Sequence, residues 1–296
     1  MLVSLPRGRP NGGLIETLAL RRNLPFWENR KVERIRMSAE TKRPPLQAVF
    51  LDYGDTLAHF GPVQDALLVA YEQIREKLIA AGKPLSNGAR SVPAAHLLLE
   101  GISQRFVQLL NRSYEEERIE EMDAALLFRG SLEALGISVD DDLLEEIILT
   151  EEQVGYALQE RAPEARDVAD ALRSRGLKLG LVSNYCSLPS VVRRHARESE
   201  LLQLVDESIF SCELGLRKPH PLIYQTMLER LNVPPEAVVF VGDRLREDVM
   251  GPKSLGMRAI LTHQFRQEDP AQARVPPDAV ITRLAELPAV LEQWDG

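Results

Sequence analysis

Short apolar runs alternate with amphipathic segments along the chain from residue 46 onward. Six runs are rich in β-branched and aromatic residues, which favours strands that are buried on both faces. Between the later runs, apolar residues recur every three or four positions, the spacing of one helix face. The predicted strands cover 47–52, 177–183, 208–212, 237–242, 257–262 and 278–281, and the predicted helices cover 164–175, 188–199, 220–231, 245–255 and 284–294. This alternation predicts an α/β fold with a Rossmann-like, doubly wound parallel sheet.

The stretch between the first two predicted strands contains no convincing strand. Its apolar spacing predicts four helices instead, at 62–81, 93–113, 119–135 and 140–160. Because parallel strands are usually joined by a single crossover helix, so long a helical block predicts an inserted all-helical domain. We therefore expect three parts, which are a flexible basic extension at 1–44, a Rossmann-like core at 45–60 and 164–296, and a helical insertion at 61–163.

The first 36 residues differ in charge from the rest of the chain. They contain eight arginine and lysine residues against three glutamates, whereas the whole chain has a net charge of −8. They include no continuous apolar segment followed by a small-residue cleavage site, so a secretory signal is not predicted, while an Arg-rich transit peptide is an alternative. We favour a flexible extension before a start at Met37, with Pro44 and Pro45 as the last linker residues.

Composition and charge exclude several classes of partner. Hydrophobic residues make up 44% of the 296 residues and charged residues 27%, as in ordinary globular proteins. The net charge of −8 argues against a nucleic-acid partner, because the phosphate backbone requires a basic face. No apolar run approaches the roughly 18 residues of a transmembrane helix. Cys186 and Cys212 are not spaced as a metal-binding pair. Such cysteine usage fits a reduced, cytoplasmic setting. The sequence does not indicate an oligomeric state.

Polar residues stand where the predicted strands end. In open α/β sheets, ligands bind outside the carboxyl ends of the strands. We therefore expect these residues to form one site, together with a lysine that opens a predicted helix. They are Asp52 after the first strand, Ser183 and Asn184 after the second, Asp243 after the strand at 237–242, and Lys218.

The segments that carry these residues resemble the motifs of a known family. In chain order they read VFLDYGDTL, GLVSN, GLRKPHPLIY and VFVGDRLREDVMGPKSLGM. Together they are similar to the four motifs of the haloacid dehalogenase-like hydrolase superfamily, over about residues 46–294. The helical insertion resembles the cap domain that such hydrolases carry after the first motif. The resemblance implies a phosphatase that acts on a small phosphorylated metabolite.

The resemblance also implies roles for individual residues. Asp52 is expected to attack phosphorus and form an aspartyl-phosphate, which divides one displacement into two steps. The implied Mg²⁺ ligands are Asp52, the main-chain oxygen of Gly54, Asp243 and Asp248, since Mg²⁺ prefers oxygen ligands. The implied catalytic residues are Asp52, Asp55 and Lys218. The implied phosphoryl-binding residues are Thr56, Ser183, Asn184 and Lys218.

The first motif departs from the usual pattern of the family. Most of its phosphatases carry a second Asp two residues after the nucleophile, which protonates the leaving oxygen and then activates water. Here Gly54 stands at that position and the acid is Asp55. Loss of an acid–base group typically lowers a rate by about 10²–10⁴-fold.

This departure leaves three interpretations open. In the favoured one, the freedom of Gly54 lets Asp55, or another group such as His59, take the acid–base role in a phosphatase. In the second, the chemistry differs. A 2-haloacid dehalogenase attacks carbon without the metal that Asp243 and Asp248 suggest, and a phosphonatase needs a cap lysine, for which Lys77 and Lys83 are the candidates. In the third, the protein binds or regulates without turnover.

Overall fold

The computed structural model describes residues 44–61, 63–82, 85, 91–198 and 200–295. The predicted extension at 1–44 lies outside the described residues except for Pro44, and Lys83 lies outside them as well. The residues from 44 onward belong to one compact unit.

A six-stranded sheet forms the centre of this unit. Its strands are β1 Ala48–Leu51, β4 Lys178–Ser183, β5 Glu207–Phe210, β6 Val238–Gly242, β7 Arg258–Thr262 and β8 Ala279–Ile281. Each pair of neighbouring strands is parallel, in the order β5-β4-β1-β6-β7-β8. All six strands lie where the sequence predicted them, which confirms the α/β fold class.

Two short strands lie outside this sheet and correct the expectation of an uninterrupted helical block. Ala58–Phe60 (β2) pairs antiparallel with Gln159–Arg161 (β3). The helix predicted over 140–160 therefore ends at Ala157, because the residues after it join β3. The helix predicted over 119–135 begins only at Ala124, where the carboxylate of Asp123 accepts a hydrogen bond from Leu126 N at 2.9 Å as the N-cap.

Helices cover both faces of the sheet. Val49 and Leu51 of β1 pack on one face and Ala48 and Phe50 on the other, as the two-residue period of a strand requires. The later helices are α6 Ala165–Ser174, α7 Pro189–Glu198, α8 Ser211–Leu214, α9 Pro221–Leu231, α10 Gly251–Ser254 and α11 Leu287–Asp295, with a π-helical turn at Leu245–Met250.

The helices between β2 and β3 have an apolar core of their own. Tyr71, Leu98, Leu132 and Ile147 are among its fully buried members. We call these helices the helical layer. Its members are α1 Gln64–Ala80, α2 Ala95–Leu99, α3 Arg105–Glu115, α4 Ala124–Ala134 and α5 Asp141–Ala157, and a π-helical turn at Glu100–Gln104 joins α2 to α3. The predicted boundaries of core and insertion stay a prediction.

Candidate active site

The carboxyl ends of β1, β4 and β6 meet at one edge of the sheet. Leu51 is in register with Leu181 of β4 and Val241 of β6, and Asp52 N donates to Val241 O at 3.0 Å. Asp52 is thereby held beside the ends of both neighbouring strands. The adjacent cavity has a volume of about 100 Å³ and is lined by Asp52, Gly54, Asp55, Tyr114, Ser183, Asn184, Lys218, Asp243, Arg244 and Glu247. Seven of the nine site residues predicted from the sequence therefore line one cavity, while Thr56 and Asp248 do not line it.

Lys218 lies at the centre of the site. Its Nζ is 2.7 Å from Asp52 Oδ1 and 2.7 Å from Asp248 Oδ1, and its side chain is 2% exposed. Burial alone would lower the pKa of Lys218, but the carboxylates of Asp248 and Asp52 raise it above its ordinary value. Lys218 therefore remains a cation beside the predicted nucleophile.

Three buried carboxylates could hold a metal ion. One ligand oxygen each from Asp52, Asp243 and Asp248 lies within 4.8 Å of the others. Burial and the neighbouring carboxylates raise the pKa of Asp243 and of Asp248, because like charges in a low dielectric destabilise each other. A hard divalent cation relieves this repulsion, and oxygen atoms are the ligands it prefers.

The lack of hydrogen bonds to the Asp243 carboxylate among the described residues supports that assignment. Neither of its carboxylate oxygens accepts a hydrogen bond from the described residues, although Arg266 Nε lies 2.7 Å from Oδ2 as an ionic contact. Asp248, by contrast, accepts from Arg244 N at 2.9 Å and from Lys218. The donor set therefore fits a cation that takes Asp243 as a ligand.

Asp248 can approach the strand end only because residue 242 is glycine. A Cβ at Gly242 would lie 2.3 Å from Asp248 Cγ, far inside van der Waals contact. The glycine before Asp243 in the last motif thus has a steric reason.

Asp55 reaches the cavity but is engaged on both carboxylate oxygens. His59 Nδ1 lies 2.7 Å from Oδ1, and Arg266 Nη2 donates to Oδ2 at 2.6 Å. Burial alone would raise the pKa of Asp55, but the contacts with His59 and Arg266 outweigh it and lower the pKa below the ordinary value. Asp55 is therefore a carboxylate that can accept a proton and is poorly suited to donate one.

The turn itself corrects one expectation from the sequence. Asp55, and not Gly54, occupies the left-handed region, with φ of 55°. Gly54 has room for a side chain, since an added Cβ would meet nothing within 4 Å. The conformational freedom of glycine is thus not what shapes this turn. Asp tolerates the left-handed region better than most residues.

Asn184 holds the main chain of Lys218. Lys218 N donates to Asn184 Oδ1 at 2.7 Å, and Asn184 Nδ2 donates to Lys218 O at 3.3 Å. Ser183 Oγ donates to Asn184 O at 3.4 Å. Both residues line the cavity, but the amide of Asn184 is already used to position the lysine. Thr56 is fully buried, and its hydroxyl has no hydrogen-bond partner in the described part of the chain.

The helical layer is anchored next to Lys218. Glu120 and Leu216 form an antiparallel bridge. Beside it, the guanidinium of Arg217 donates to Glu121 Oε1 at 2.6 Å and to Ser113 Oγ at 2.9 Å. The side chains of both ion-pair partners are 1% exposed. The residue before the central lysine therefore joins the helical layer to the sheet edge.

The sequence analysis did not predict four residues around the site, which are Tyr114, Arg244, Glu247 and Arg266. Tyr114 of α3 lies under two guanidinium groups, with Arg217 Cζ 4.4 Å and Arg244 Cζ 4.8 Å from its ring centroid. Burial raises the pKa of Tyr114, so its hydroxyl stays neutral.

Two of these residues carry a signal in the sequence. Arg244 and Glu247 stand between Asp243 and Asp248 in the last motif, and this position could have identified them. Tyr114 and Arg266 come from distant segments and carry no local signal.

No helix among the described residues is both long enough and apolar enough to cross a membrane.

Comparison with known proteins identifies the family to which this chain belongs. A family model described as haloacid dehalogenase-like hydrolase matches residues 46–256. A glyceraldehyde 3-phosphate phosphatase from Pyrococcus furiosus is 31% identical over 135 residues, which are 45% of this chain and about half (55%) of that relative. A phosphoserine phosphatase from Thermus thermophilus is 28% identical over 257 residues, 82% of this chain and 98% of the relative.

Solved structures share the same architecture. The crystal structure of a 2-haloacid dehalogenase from Pseudomonas syringae pv. Tomato DC3000 superposes with a TM-score of 0.55 at 25% identity. The match covers 84% of this chain and 99% of that one. The similarity therefore includes the helical layer as well as the sheet.

Proposed function

Because this chain belongs to the haloacid dehalogenase-like hydrolases, we propose that it is a Mg²⁺-dependent phosphatase that hydrolyses small phosphate monoesters through an aspartyl-phosphate on Asp52. The observation that carries the proposal is the buried group of Asp52, Lys218, Asp243 and Asp248 at the sheet edge. It offers a nucleophile, a fixed cation and ligands for a metal ion beside one small cavity.

Asp52 has one oxygen bound and one available. Oδ1 accepts from Lys218 at 2.7 Å, which leaves Oδ2 to attack the phosphorus atom. The new bond joins Oδ2 to phosphorus, and the bond from phosphorus to the leaving oxygen breaks with its electron pair on that oxygen. Water then attacks the phosphorus of the aspartyl-phosphate, releases inorganic phosphate and restores Asp52.

Positive charge is the main requirement of this reaction, because phosphoryl transfer depends on positioning and charge stabilisation. Lys218 supplies one fixed cation at the nucleophile. Asp52, Asp243 and Asp248, with the main-chain oxygen of Gly54, would hold Mg²⁺, which when bound supplies charge neutralisation for the phosphoryl oxygens. Ser183 lies on the cavity wall, where its hydroxyl can donate to the same oxygens.

We assign the proton transfers to Asp55 with one restriction. Its anionic carboxylate, held by His59 and Arg266, suits removal of a proton from the attacking water in the second step. The first step then proceeds without a strong general acid. Leaving groups that are stable as anions should therefore react best.

A dehalogenase is the second candidate, since the structural similarity includes a 2-haloacid dehalogenase. The acidic group at Asp243 and Asp248 favours the phosphatase, because it suits a cation that attack on a haloacid does not need. Lys77 offers no support for a phosphonatase, because its Nζ pairs with Glu146 at 3.0 Å on the surface.

The proposal is tested by phosphate release with and without Mg²⁺. Substrates are p-nitrophenyl phosphate and a panel of sugar, nucleotide and glycolate phosphates, with Asp52→Asn as the inactive variant and exposed Asp65→Asn as the matched control. We expect Mg²⁺-dependent release that Asp52→Asn abolishes and Asp65→Asn retains. Absence of release from every phosphate would contradict the proposal and favour a binding module, while halide release from 2-chloropropionate would favour the dehalogenase.

A further inference from the structure

A cation in the cavity is not explained by the proposed chemistry. We infer that Arg244 binds a carboxylate on the leaving group, so that the substrates are short phosphorylated carboxylic acids. The inference rests on the proposed function, since it names the substrate class of the same cavity.

No carboxylate among the described residues forms an ion pair with the guanidinium of Arg244. It lines the cavity, yet within the described residues its guanidinium makes no hydrogen bond and no ion pair, and its contact is the ring of Tyr114 at 4.8 Å. The other three guanidinium groups nearby are all paired with carboxylates. They are Arg217 with Glu121, Arg246 with Glu247, and Arg266 with Asp55 and Asp243.

The position of Arg244 matches the leaving group and not the phosphoryl group. The phosphoryl group is placed at the sheet edge by Asp52 and Lys218. Tyr114 belongs to α3 of the helical layer, so the guanidinium stacked on it lies on the side of the cavity that the helical layer covers. A substrate bound through its phosphoryl group to Asp52 extends towards that side.

The guanidinium of Arg244 on the cavity wall favours a carboxylate as the group that the substrate places beside it. A guanidinium presents a planar fork of donors that matches a carboxylate, and the ring of Tyr114, 4.8 Å from Arg244 Cζ, restricts where this guanidinium can lie. The cavity of about 100 Å³ allows only a short chain between phosphoryl group and carboxylate.

Glu247 is the acid that could compete for Arg244. It lines the same cavity, but its Oε1 lies 3.4 Å from Arg246 Nη1, and no ion pair joins it to Arg244 among the described residues. A structural role for Arg244, as a counter-charge to the nearby acids, predicts an equal effect on all ligands. A role in recognition predicts an effect that depends on the charge of the ligand.

The test measures binding of phosphonates, which the enzyme does not hydrolyse. Dissociation constants are measured by calorimetry with saturating Mg²⁺ for 3-phosphonopropionate, propylphosphonate and 3-aminopropylphosphonate, whose far ends are anionic, neutral and cationic. We expect 3-phosphonopropionate to bind about 10- to 100-fold more tightly than propylphosphonate, the range of one charge-assisted contact. The aminopropyl compound should bind most weakly.

Variants then assign the preference to Arg244. Arg244→Gln should remove most of the difference between the anionic and neutral phosphonates, and Arg244→Lys should retain part of it. Arg194→Gln removes an exposed guanidinium that pairs with Glu198 at 2.8 Å on α7, and it should keep the full preference. Thermal unfolding of each variant checks that it is folded.

Three results would overturn the inference. These are equal binding of the three phosphonates to the wild type, a preference that persists in Arg244→Gln, and a loss in Arg244→Gln that is the same for all three. The readout needs no turnover. A failure of phosphate release would therefore contradict the proposed function while the charge preference is still measured, and a missing preference with intact release would contradict only this inference.

Discussion

At Gly54 and Asp55 the chain has a glycine at the position where the family's second aspartate is expected, and places the acid one residue later. Asp55 adopts φ of 55°, a region that non-glycine residues rarely occupy. Its contacts with His59 and Arg266 hold it there as an anion. Gly54 faces the cavity without a functional group. The acid therefore follows the predicted nucleophile Asp52 by three residues instead of the expected two.

An exchange of these two residues should raise activity on poor leaving groups. In Gly54→Asp with Asp55→Gly, the new side chain enters open space, and glycine accepts the left-handed turn. We expect kcat on glycerol phosphate to rise at least about tenfold, within the range of a general acid. The rise on p-nitrophenyl phosphate should be smaller, because its leaving group needs no proton.

Steady-state kinetics on the two substrates checks this prediction. Gly61→Asp is the control, because an added Cβ there also meets nothing within 4 Å and Gly61 does not line the cavity. No gain on glycerol phosphate would indicate that Asp55 already serves as the acid, and that the present turn is adapted to it.

At the scale of elements, the helical layer meets the sheet through a buried ion pair. Arg217 and Glu121 are each 1% exposed, and their contact lies directly before Lys218. Burial of such a pair gives little net stability, because desolvation of both charges opposes their attraction. Removal of one partner, however, leaves an uncompensated charge.

Glu121→Leu should therefore destabilise the protein by about 3–5 kcal/mol, the range for a broken buried pair. Glu121→Leu combined with Arg217→Met should recover at least half of that loss, since neither charge remains. Urea unfolding measures both changes.

The exposed pair of Arg166 and Glu200 serves as the control, with side chains 53% and 56% exposed and a separation of 3.2 Å. Glu200→Leu should change the free energy of unfolding by less than about 1 kcal/mol. Equal destabilisation by Glu121→Leu and by the double variant would contradict the argument.

His195 makes the packing of α7 on α5 sensitive to pH. Its ring stacks on Tyr156 with centroids 3.7 Å apart, and it is 2% exposed. Burial lowers the pKa of His195 from 6.5 to about 4. The unfolded chain therefore binds a proton that the folded chain does not, and stability falls as the pH drops from about 6.5 towards 4.

We expect the wild type to lose about 2 kcal/mol more than His195→Phe between pH 7.5 and pH 5, at about 1.4 kcal/mol per pH unit below 6.5. The phenyl ring keeps the stacking and cannot be protonated. Urea unfolding at both pH values measures the difference, with exposed His96→Phe as the control. The same pH dependence in the wild type and His195→Phe would disprove it.

At the scale of the whole molecule, an acidic protein concentrates three carboxylates at one sheet edge. The net charge is −8, and Asp52, Asp243 and Asp248 lie within 4.8 Å of one another. Lys218 offsets part of this charge. The metal proposed here would therefore act on stability as well as on catalysis, because it binds the folded arrangement and not the unfolded chain.

Mg²⁺ should raise the free energy of unfolding by about 2.7 kcal/mol at a concentration 100-fold above its Kd. Asp243→Asn should lose this increase and be more stable than the wild type without Mg²⁺, because it removes one of three repelling carboxylates. Thermal denaturation with and without Mg²⁺ tests both effects, and Asp65→Asn should behave as the wild type. An undiminished Mg²⁺ effect in Asp243→Asn would exclude that residue as a ligand.

Local patterns were sufficient for most elements and insufficient where distant segments pair. The burial of four or five consecutive residues in strands such as β1 and β4 follows from the sequence alone. Three-residue strands such as β2 and β3 have no such pattern, because each is defined by its partner. For the same reason, the helix predicted over 119–135 includes Glu120, which in the structure pairs with Leu216 instead.

The sequence by itself determined the α/β class, the order of the strands along the chain and the polar residues at their ends, because periodic burial and strand-end chemistry are local properties. Only the tertiary structure decided that Asp55 is held by Arg266 from a distant loop, and that Arg244 lies over the ring of Tyr114 with no ion pair to a described carboxylate. These contacts join residues far apart in the chain. Their existence depends on how the sheet and the helical layer pack, which no local pattern records.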